Sequence, residues 1–208
     1  MVGYAEVTRT YADAAQDLKL RWAEIDLVAW LRPVAPWLSG KTILDVGAGT
    51  GRLAEHLSQT SRVIAVEPVA GLWLSDLPRV TDTLPNLRKV RGRFDLVLCL
   101  GVLHHLTPQD QLRAMARLAS LTRTGGKIII AARHGPIHMP VWPVRAATLI
   151  APTLTRLKLS RRPALQPLNR AKSVRFTWLV FEKSHSTSVR SASAMMQQNW
   201  LPQDKRKR

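Results

Sequence analysis

Thr42-Ile43-Leu44-Asp45-Val46-Gly47-Ala48-Gly49-Thr50-Gly51-Arg52 is an apolar run that ends abruptly in alternating glycines. Its first five residues read as a buried strand. Glycine lacks a Cβ and tolerates positive φ, so a chain turning at Gly47, Gly49 and Gly51 lets a ligand lie against the backbone. A helical stretch from Arg52 to Gln59 follows and aims its first amides at the turn. Downstream, Arg62-Val63-Ile64-Ala65-Val66-Glu67 is a second strand, closed by Pro68. Glu67 lies 20 residues after Gly47, placed to accept hydrogen bonds from two ribose hydroxyls at the carboxyl ends of the strands. The arrangement suits a nucleoside.

The same grammar repeats outward. Phe94 to Leu100 is continuously apolar, as in a sheet covered on both faces. A helix from Pro108 to Leu121 follows, with Leu112, Met115, Ala116 and Leu118 on its inner side. Gly125-Gly126 then turns into a strand, Lys127 to Ala131. Strands alternating with helices predict an α/β fold with a doubly wound, mostly parallel, seven-stranded sheet. Upstream, apolar spacing from Tyr11 to Leu31 predicts one cap helix over 10–32, stopped by Pro33 and Pro36. Between 133 and 183, six prolines break up long elements, and strands are expected from Thr153 to Ser160 and from Val174 to Lys183. The expected organisation is one domain over 1–183, with its cofactor-binding core at 41–132. Residues 184–208, rich in Ser, Gln and Met and ending in Lys205-Arg206-Lys207-Arg208, are expected to form a disordered basic tail.

Composition narrows the classes. The 208 residues are 46% apolar, which argues against wholesale disorder. A single cysteine, Cys99, excludes an intramolecular disulfide and a Cys-rich zinc site and suits a reducing compartment. No apolar run approaches the ~18 residues of a membrane span. The opening MVGYAEVTRTYADAAQD has no apolar signal-peptide core. A soluble, cytoplasmic protein is expected. The net charge of +17 is uneven: residues 1–132 hold 16 basic and 12 acidic residues, residues 133–208 hold 15 and 2. The basic C-terminal third suits nucleic acid, anionic lipid or an acidic partner, or is a tail without a specific partner.

The loop itself distinguishes cofactors. A dinucleotide fingerprint would place its third glycine at position 52, which is Arg52. Asp45, just before the turn, would repel a pyrophosphate but suits a cationic amino group. The contrast disfavours NAD and favours S-adenosylmethionine. Ile43 to Arg52 resembles the first motif of class I S-adenosylmethionine-dependent methyltransferases, and Val63 to Pro68 their acidic second-strand motif. Phe94 to Cys99 with Leu103-His104-His105-Leu106 resembles their fourth strand and its loop, and Gly125 to Ile130 their fifth. The match runs through 42–131 in order and spacing. Arg133-His134-Gly135-Pro136 and the strand from Val174 to Lys183 resemble a group of small bacterial members with the Rossmann-like methyltransferase fold.

That resemblance implies residue roles. Gly47, Ala48, Gly49, Thr50 and Gly51 wrap the methionine part, Asp45 meets its amino group, and Glu67 with Pro68 holds the ribose. Asp82 falls near the adenine amino group, Leu100 and Gly101 line the pocket beneath the sulfonium, and Tyr11 covers the cofactor. His104 and His105 are the catalytic candidates, since an imidazole near the donor can take the acceptor's proton; the competing reading is a loop histidine bonded to backbone. Cys99 reads as a buried small hydrophobe rather than a nucleophile. Leu100 to Leu103 stand where an Asn-Pro-Pro-Tyr loop would hold an adenine or amide, which argues against that chemistry. His134 and His138, with Gly135 and Pro136 between them, do not form a helical metal pair. The expected function is methylation of a small molecule; RNA methylation through the basic third and non-catalytic cofactor binding are the alternatives.

Overall fold

The computed structural model describes residues 4–134, 142–144, 154–157 and 175–184. Its sheet grows from the strand that enters the glycine loop. β1 (Thr42–Val46) pairs in parallel with β2 (Arg62–Val66) on one side, and β2 with the two-residue β3 (Arg79–Val80). On the other side β1 pairs in parallel with β4 (Phe94–Leu100), and β4 with β5 (Thr122–His134). Two antiparallel strands complete the seven: β6 (Leu154–Leu157) lies against β7 (Arg175–Lys183), and β7 against β5. The order is β3-β2-β1-β4-β5-β7-β6, the doubly wound, mostly parallel sheet expected from the alternating pattern.

Both faces are covered, which is why the strands are apolar throughout. Residues alternating along β1, β4 and β5 divide between two clusters. Leu44, Val97 and Ile128 join α5 (Pro108–Leu121) through Ala114, Met115 and Leu118. Ile43, Leu96 and Ile129 join α4 (Arg52–Ser58) through Leu53 and Leu57. Thr107 caps α5 by accepting from Asp110 N, with Pro108 at the first helical position. On α5, Met115 and Leu118 are buried as expected, whereas Leu112 is 44% exposed and Ala116 is exposed. Gln111 occupies the inner face in their place, its amide bonded to Leu106 O at 3.1 Å. A polar residue held by a loop carbonyl sets the helix phase here.

The single helix expected over 10–32 is instead three: α1 (Tyr4–Asp13), α2 (Ala15–Ala23) and α3 (Leu27–Leu31). Asp26 accounts for the second break, since its side chain accepts from Ala29 N at 3.0 Å and caps α3. α2 packs through Ala15 on Val69 and Leu72, the segment just after β2, so the cap rests beside the end of the glycine-loop sheet. The strand expected over 153–160 is described at 154–157 only, and the proposed tail lies outside the described residues from 185 onward. Among the described residues, no helix is long and apolar enough to cross a membrane.

Candidate active site

The carboxyl ends of β1, β2 and β4 converge on the glycine loop. Gly47 N and Ala48 N donate to Val66 O at 2.8 and 3.0 Å, which locks the loop to the end of β2. Gly47 has φ +74°, and a Cβ there would sit 2.4 Å from Val102 Cγ2; Gly51 has φ +85°, and a Cβ there would sit 2.5 Å from Ser75 Cβ. Glycine is required at both positions by conformation and by contact. A Cβ on Gly49 would lie 3.0 Å from the Trp22 ring, so the cap covers the loop. Thr50 is buried, its carbonyl accepting from Leu74 N at 3.0 Å.

Two carboxylates stand at the loop. Glu67 Oε2 accepts from Gly49 N at 2.9 Å and Oε1 from Val69 N at 2.8 Å, while Arg79 donates to the Glu67 carbonyl at 2.8 Å. Those backbone bonds use half of the lone-pair sites of a carboxylate and leave the rest for hydroxyl donors. Burial raises the Glu67 pKa, opposed by the Val69 and Gly49 amides and the charge of Arg79. Asp45 carries the greater burial penalty: it is 2% accessible and its Oδ2 has no hydrogen-bond partner among the described residues. Burial, and then the charge of Glu67, push its pKa up to about 7. Pro68 is half-buried beside Glu67. An orphaned buried carboxylate next to a cradle that a Cβ would fill fits a ligand that brings an ammonium and a diol.

Across the loop, Tyr11 of α1 meets the turn after β4. Its hydroxyl lies 2.9 Å from His105 Nε2, with the rings edge-to-face at 5.3 Å between centroids. The His104 ring lies 4.0 Å from that of His105 between centroids, tilted by 45°, and is buried, with neither ring nitrogen hydrogen-bonded among the described residues. Burial, with smaller contributions from His105, Arg133 and His134, lowers the His104 pKa to about 2; burial and Arg133 lower His105 to about 4. Burial raises Tyr11 to about 12. At neutral pH the cluster is therefore an uncharged tyrosine and two uncharged imidazoles beside one guanidinium. The sequence reading of His105 as a loop residue bonded to backbone misses its partner, which is the Tyr11 side chain.

Other expected residues separate from this group. Asp82 accepts from Thr83 N at 2.8 Å and from Lys89 N at 2.6 Å, so both oxygens brace their own loop just past β3. Leu100 and Gly101 end β4, and Gly101 N donates to Ala131 O at 2.9 Å. Cys99 is fully buried, and burial followed by the Asp45 charge raises its thiol pKa. His134 bonds Thr177 Oγ1 at 2.9 Å, and His138 lies outside the described residues. Sequence reasoning missed the contact of Val102 with the glycine loop and the role of Arg52. Arg52, which replaces the dinucleotide glycine, donates through Nη1 to Trp22 O and through Nη2 to Ile25 O at 3.4 Å, fastening the cap to the loop.

A model of the methyltransferase domain family matches residues 17–198. The chain is 33% identical over 121 residues to an uncharacterised protein of Synechococcus, covering 51% of this chain and 28% of that protein. It is 33% identical over 104 residues to a ubiquinone biosynthesis O-methyltransferase of Rhodopseudomonas palustris, covering 45% of this chain and 40% of that enzyme. The chain thus spans well under two thirds of the length of either relative. The crystal structure of the 1,6-didemethyltoxoflavin N1-methyltransferase of Burkholderia thailandensis, with its substrate and S-adenosylhomocysteine bound, shares the fold. It superposes with a TM-score of 0.69 at 21% identity, covering 89% of this chain and 92% of that one.

Proposed function

The chain belongs to the methyltransferase domain family, and on that footing we propose that it transfers the methyl group of S-adenosylmethionine to an O, N or C atom of a small molecule. The observation that carries the reading is the orphaned oxygen of buried Asp45 beside Glu67, at the end of the glycine loop. A cationic amino group completes Asp45 and a ribose diol completes Glu67, whereas the pyrophosphate of NAD would face two carboxylates. When bound, S-adenosylmethionine supplies an electrophilic methyl group and departs as a neutral thioether. Gly47 to Gly51 orient the methionine part, Leu100 and Gly101 keep water from the sulfonium, and Pro68 borders the nucleoside, while Asp82 shapes the neighbouring loop through its bonds to Thr83 N and Lys89 N. Alignment of this kind supplies much of the rate enhancement.

The Tyr11–His105 pair addresses the acceptor's proton. With His105 in the tautomer that leaves Nε2 unprotonated, Tyr11 donates to it across 2.9 Å while its own oxygen accepts from the acceptor, so the proton passes inward as the new bond forms. An imidazole held near pKa 4 is neutral and ready to accept, but holds a proton only transiently. His104 backs the His105 ring. This machinery favours an enzyme over a sensor. Relatives named for ubiquinone biosynthesis and for toxoflavin chemistry support a small-molecule acceptor. The single buried cysteine suits a reducing cytoplasm.

The test is tritium transfer from labelled S-adenosylmethionine into an ultrafiltered small-molecule extract and, separately, into total RNA, with S-adenosylhomocysteine binding followed by calorimetry. Label is expected in the small-molecule fraction alone. Tyr11→Phe should lower turnover about 10²-fold or more, the usual worth of a placed acid–base group, with S-adenosylhomocysteine affinity changed less than about twofold. Label in RNA, or tighter binding of NAD, would overturn the reading.

A further inference from the structure

The amino ends of the strands carry a second feature, remote from the glycine loop. Arg62 opens β2, Arg91 and Arg93 lie in the loop that enters β4, and Arg123 stands near the start of β5. Parallel register gathers all four, distant in sequence, around one cleft of about 220 Å³ that Thr42 also lines. The carboxylate at hand, Asp95, is already committed. It accepts from Thr42 N at 2.9 Å and Thr42 Oγ1 at 2.6 Å, and it pairs with Arg123 at 2.7 Å. Arg91 donates to the carbonyls of Arg88 and Val90, which fix the side chain without cancelling its charge. Among the described residues, no carboxylate pairs with Arg62, Arg91 or Arg93. Burial and the charge of nearby Arg93 both disfavour the ammonium of Lys183, so the surplus field reaches beyond the cleft.

Like charges gathered without counter-ions repel, and an anion relieves that repulsion. Guanidinium groups present paired donors that match the oxygens of a phosphate, and several of them around one cleft suit its multiple oxygens and charge better than chloride, which has neither. At about 220 Å³ the cleft has room for a single phosphoryl group. It also lies at the far end of β1 from Gly47, some ~15 Å along a five-residue strand, so its occupant is not the methyl acceptor. We propose that the cleft lined by Arg62, Arg91, Arg93 and Arg123 is a second ligand site that takes a phosphate group, carried by a soluble compound or by a phospholipid headgroup.

Titration of the full chain with inorganic phosphate, at ionic strength fixed with sodium chloride, tests the site. Wild type should bind phosphate, and the double variant Arg62→Gln, Arg93→Gln should lose tenfold or more in affinity. A control, Arg9→Gln with Arg32→Gln, removes the same charge from exposed positions elsewhere and should stay within twofold. S-Adenosylhomocysteine affinity should be unchanged in both, which separates this site from the methyl-transfer reading. Single Arg93→Glu should repeat the loss should the double variant fold poorly. Vesicles of phosphatidylcholine with and without phosphatidylglycerol identify the source. Sedimentation that needs phosphatidylglycerol, Arg62 and Arg93, and that phosphate competes away, marks a headgroup site; phosphate binding without sedimentation marks a soluble ligand. Equal losses in both double variants, or no phosphate binding above chloride, would overturn the proposal.

Discussion

Asp45 and Asp95 lie on neighbouring strands of one sheet, yet the first has its pKa pushed up to about 7 and the second down to about 2. Asp95, at the amino end, is satisfied by Thr42 and Arg123 and sits partly in water. Asp45, at the carboxyl end, is buried beside a second carboxylate with an oxygen left over. One aspartate holds the fold together; the other strains it. Strain of that kind persists where a ligand relieves it, so the difference locates the cationic part of a ligand at the carboxyl end. At the amino end the sign reverses, with Arg62, Arg91 and Arg93, which no carboxylate among the described residues pairs, gathered around the cleft.

The glycines repeat the comparison and give the largest expected effect. Gly47 and Gly92 both have positive φ, but a Cβ on Gly47 strikes Val102 whereas one on Gly92 meets nothing within 4 Å. Gly92→Ala should therefore cost only the left-handed conformation, ~1–2 kcal/mol. Gly47→Ala adds overpacking of ~1–3 kcal/mol, for a total of ~2–5 kcal/mol, and should remove S-adenosylhomocysteine binding. Denaturant midpoints of the two variants check this. Equal costs would mean that the loop yields, and the carboxyl end would be less constrained than its contacts imply.

The buried carboxylate predicts an effect of opposite sign. Because the folded Asp45 holds its proton more tightly than the unfolded residue, ionising it weakens the folded state as pH rises from about 4 to about 7. Asp45→Asn should match wild type near pH 4 and gain ~2–4 kcal/mol over it at pH 8, with part of the gain offset by the amide's own unmet hydrogen bonds. The comparison must be between variants at each pH. His104 and His105, with folded pKa values lowered to about 2 and about 4, add stability that is lost as pH falls below the ordinary histidine value, which opposes the Asp45 trend in either protein alone. S-Adenosylhomocysteine affinity should fall by ~1.5–3 kcal/mol in the same variant, the worth of a charged hydrogen bond. A more stable protein that binds worse is the expected signature. Loss of stability at pH 8 would show that Asp45 is held by something other than a ligand.

What the sequence shows follows from how local each cause is. The apolar strands, the glycine turn and Glu67 are legible because a few consecutive residues determine each. The break before Asp26 was legible in principle, as an acidic residue preceding Leu27-Val28-Ala29 is a helix-start signal, but the apolar spacing ran across it. The phase of α5 was not, because the Leu106 carbonyl draws Gln111 inward past Leu112 and Ala116. Arg52 signalled only the missing glycine, while its bonds to Trp22 and Ile25 depend on where the cap comes to rest. Charge was the least legible feature. Counting by segment drew attention to the last third, whereas the cluster around Arg62 and Arg93 is built within residues whose basic and acidic counts nearly balance. A sum along the chain does not see a parallel sheet bring strand starts together.

The smallest effect belongs to the satisfied aspartate. Asp95→Asn keeps the shape of the side chain and removes its charge. The amide keeps one acceptor oxygen of the two and turns the other into a donor, so the ion pair with Arg123 is lost and stability should fall. The folded pKa near 2 means this contribution is present above the ordinary aspartate range and is lost as pH drops through about 4 toward 2. Its size is limited by water, since the Asp95 and Arg123 side chains are 33% and 49% exposed. Screening keeps the loss at or below ~1 kcal/mol, and molar salt should shrink the difference further. S-Adenosylhomocysteine affinity should not move, because the residue lies at the opposite end of β1 from the glycine loop. Phosphate affinity should rise about twofold, as Arg123 is freed to face the cleft, a change of ~0.4 kcal/mol. A drop in phosphate affinity instead would show that Asp95 positions Arg123 for the anion, and the amino end would then be organised by its aspartate rather than merely neutralised by it.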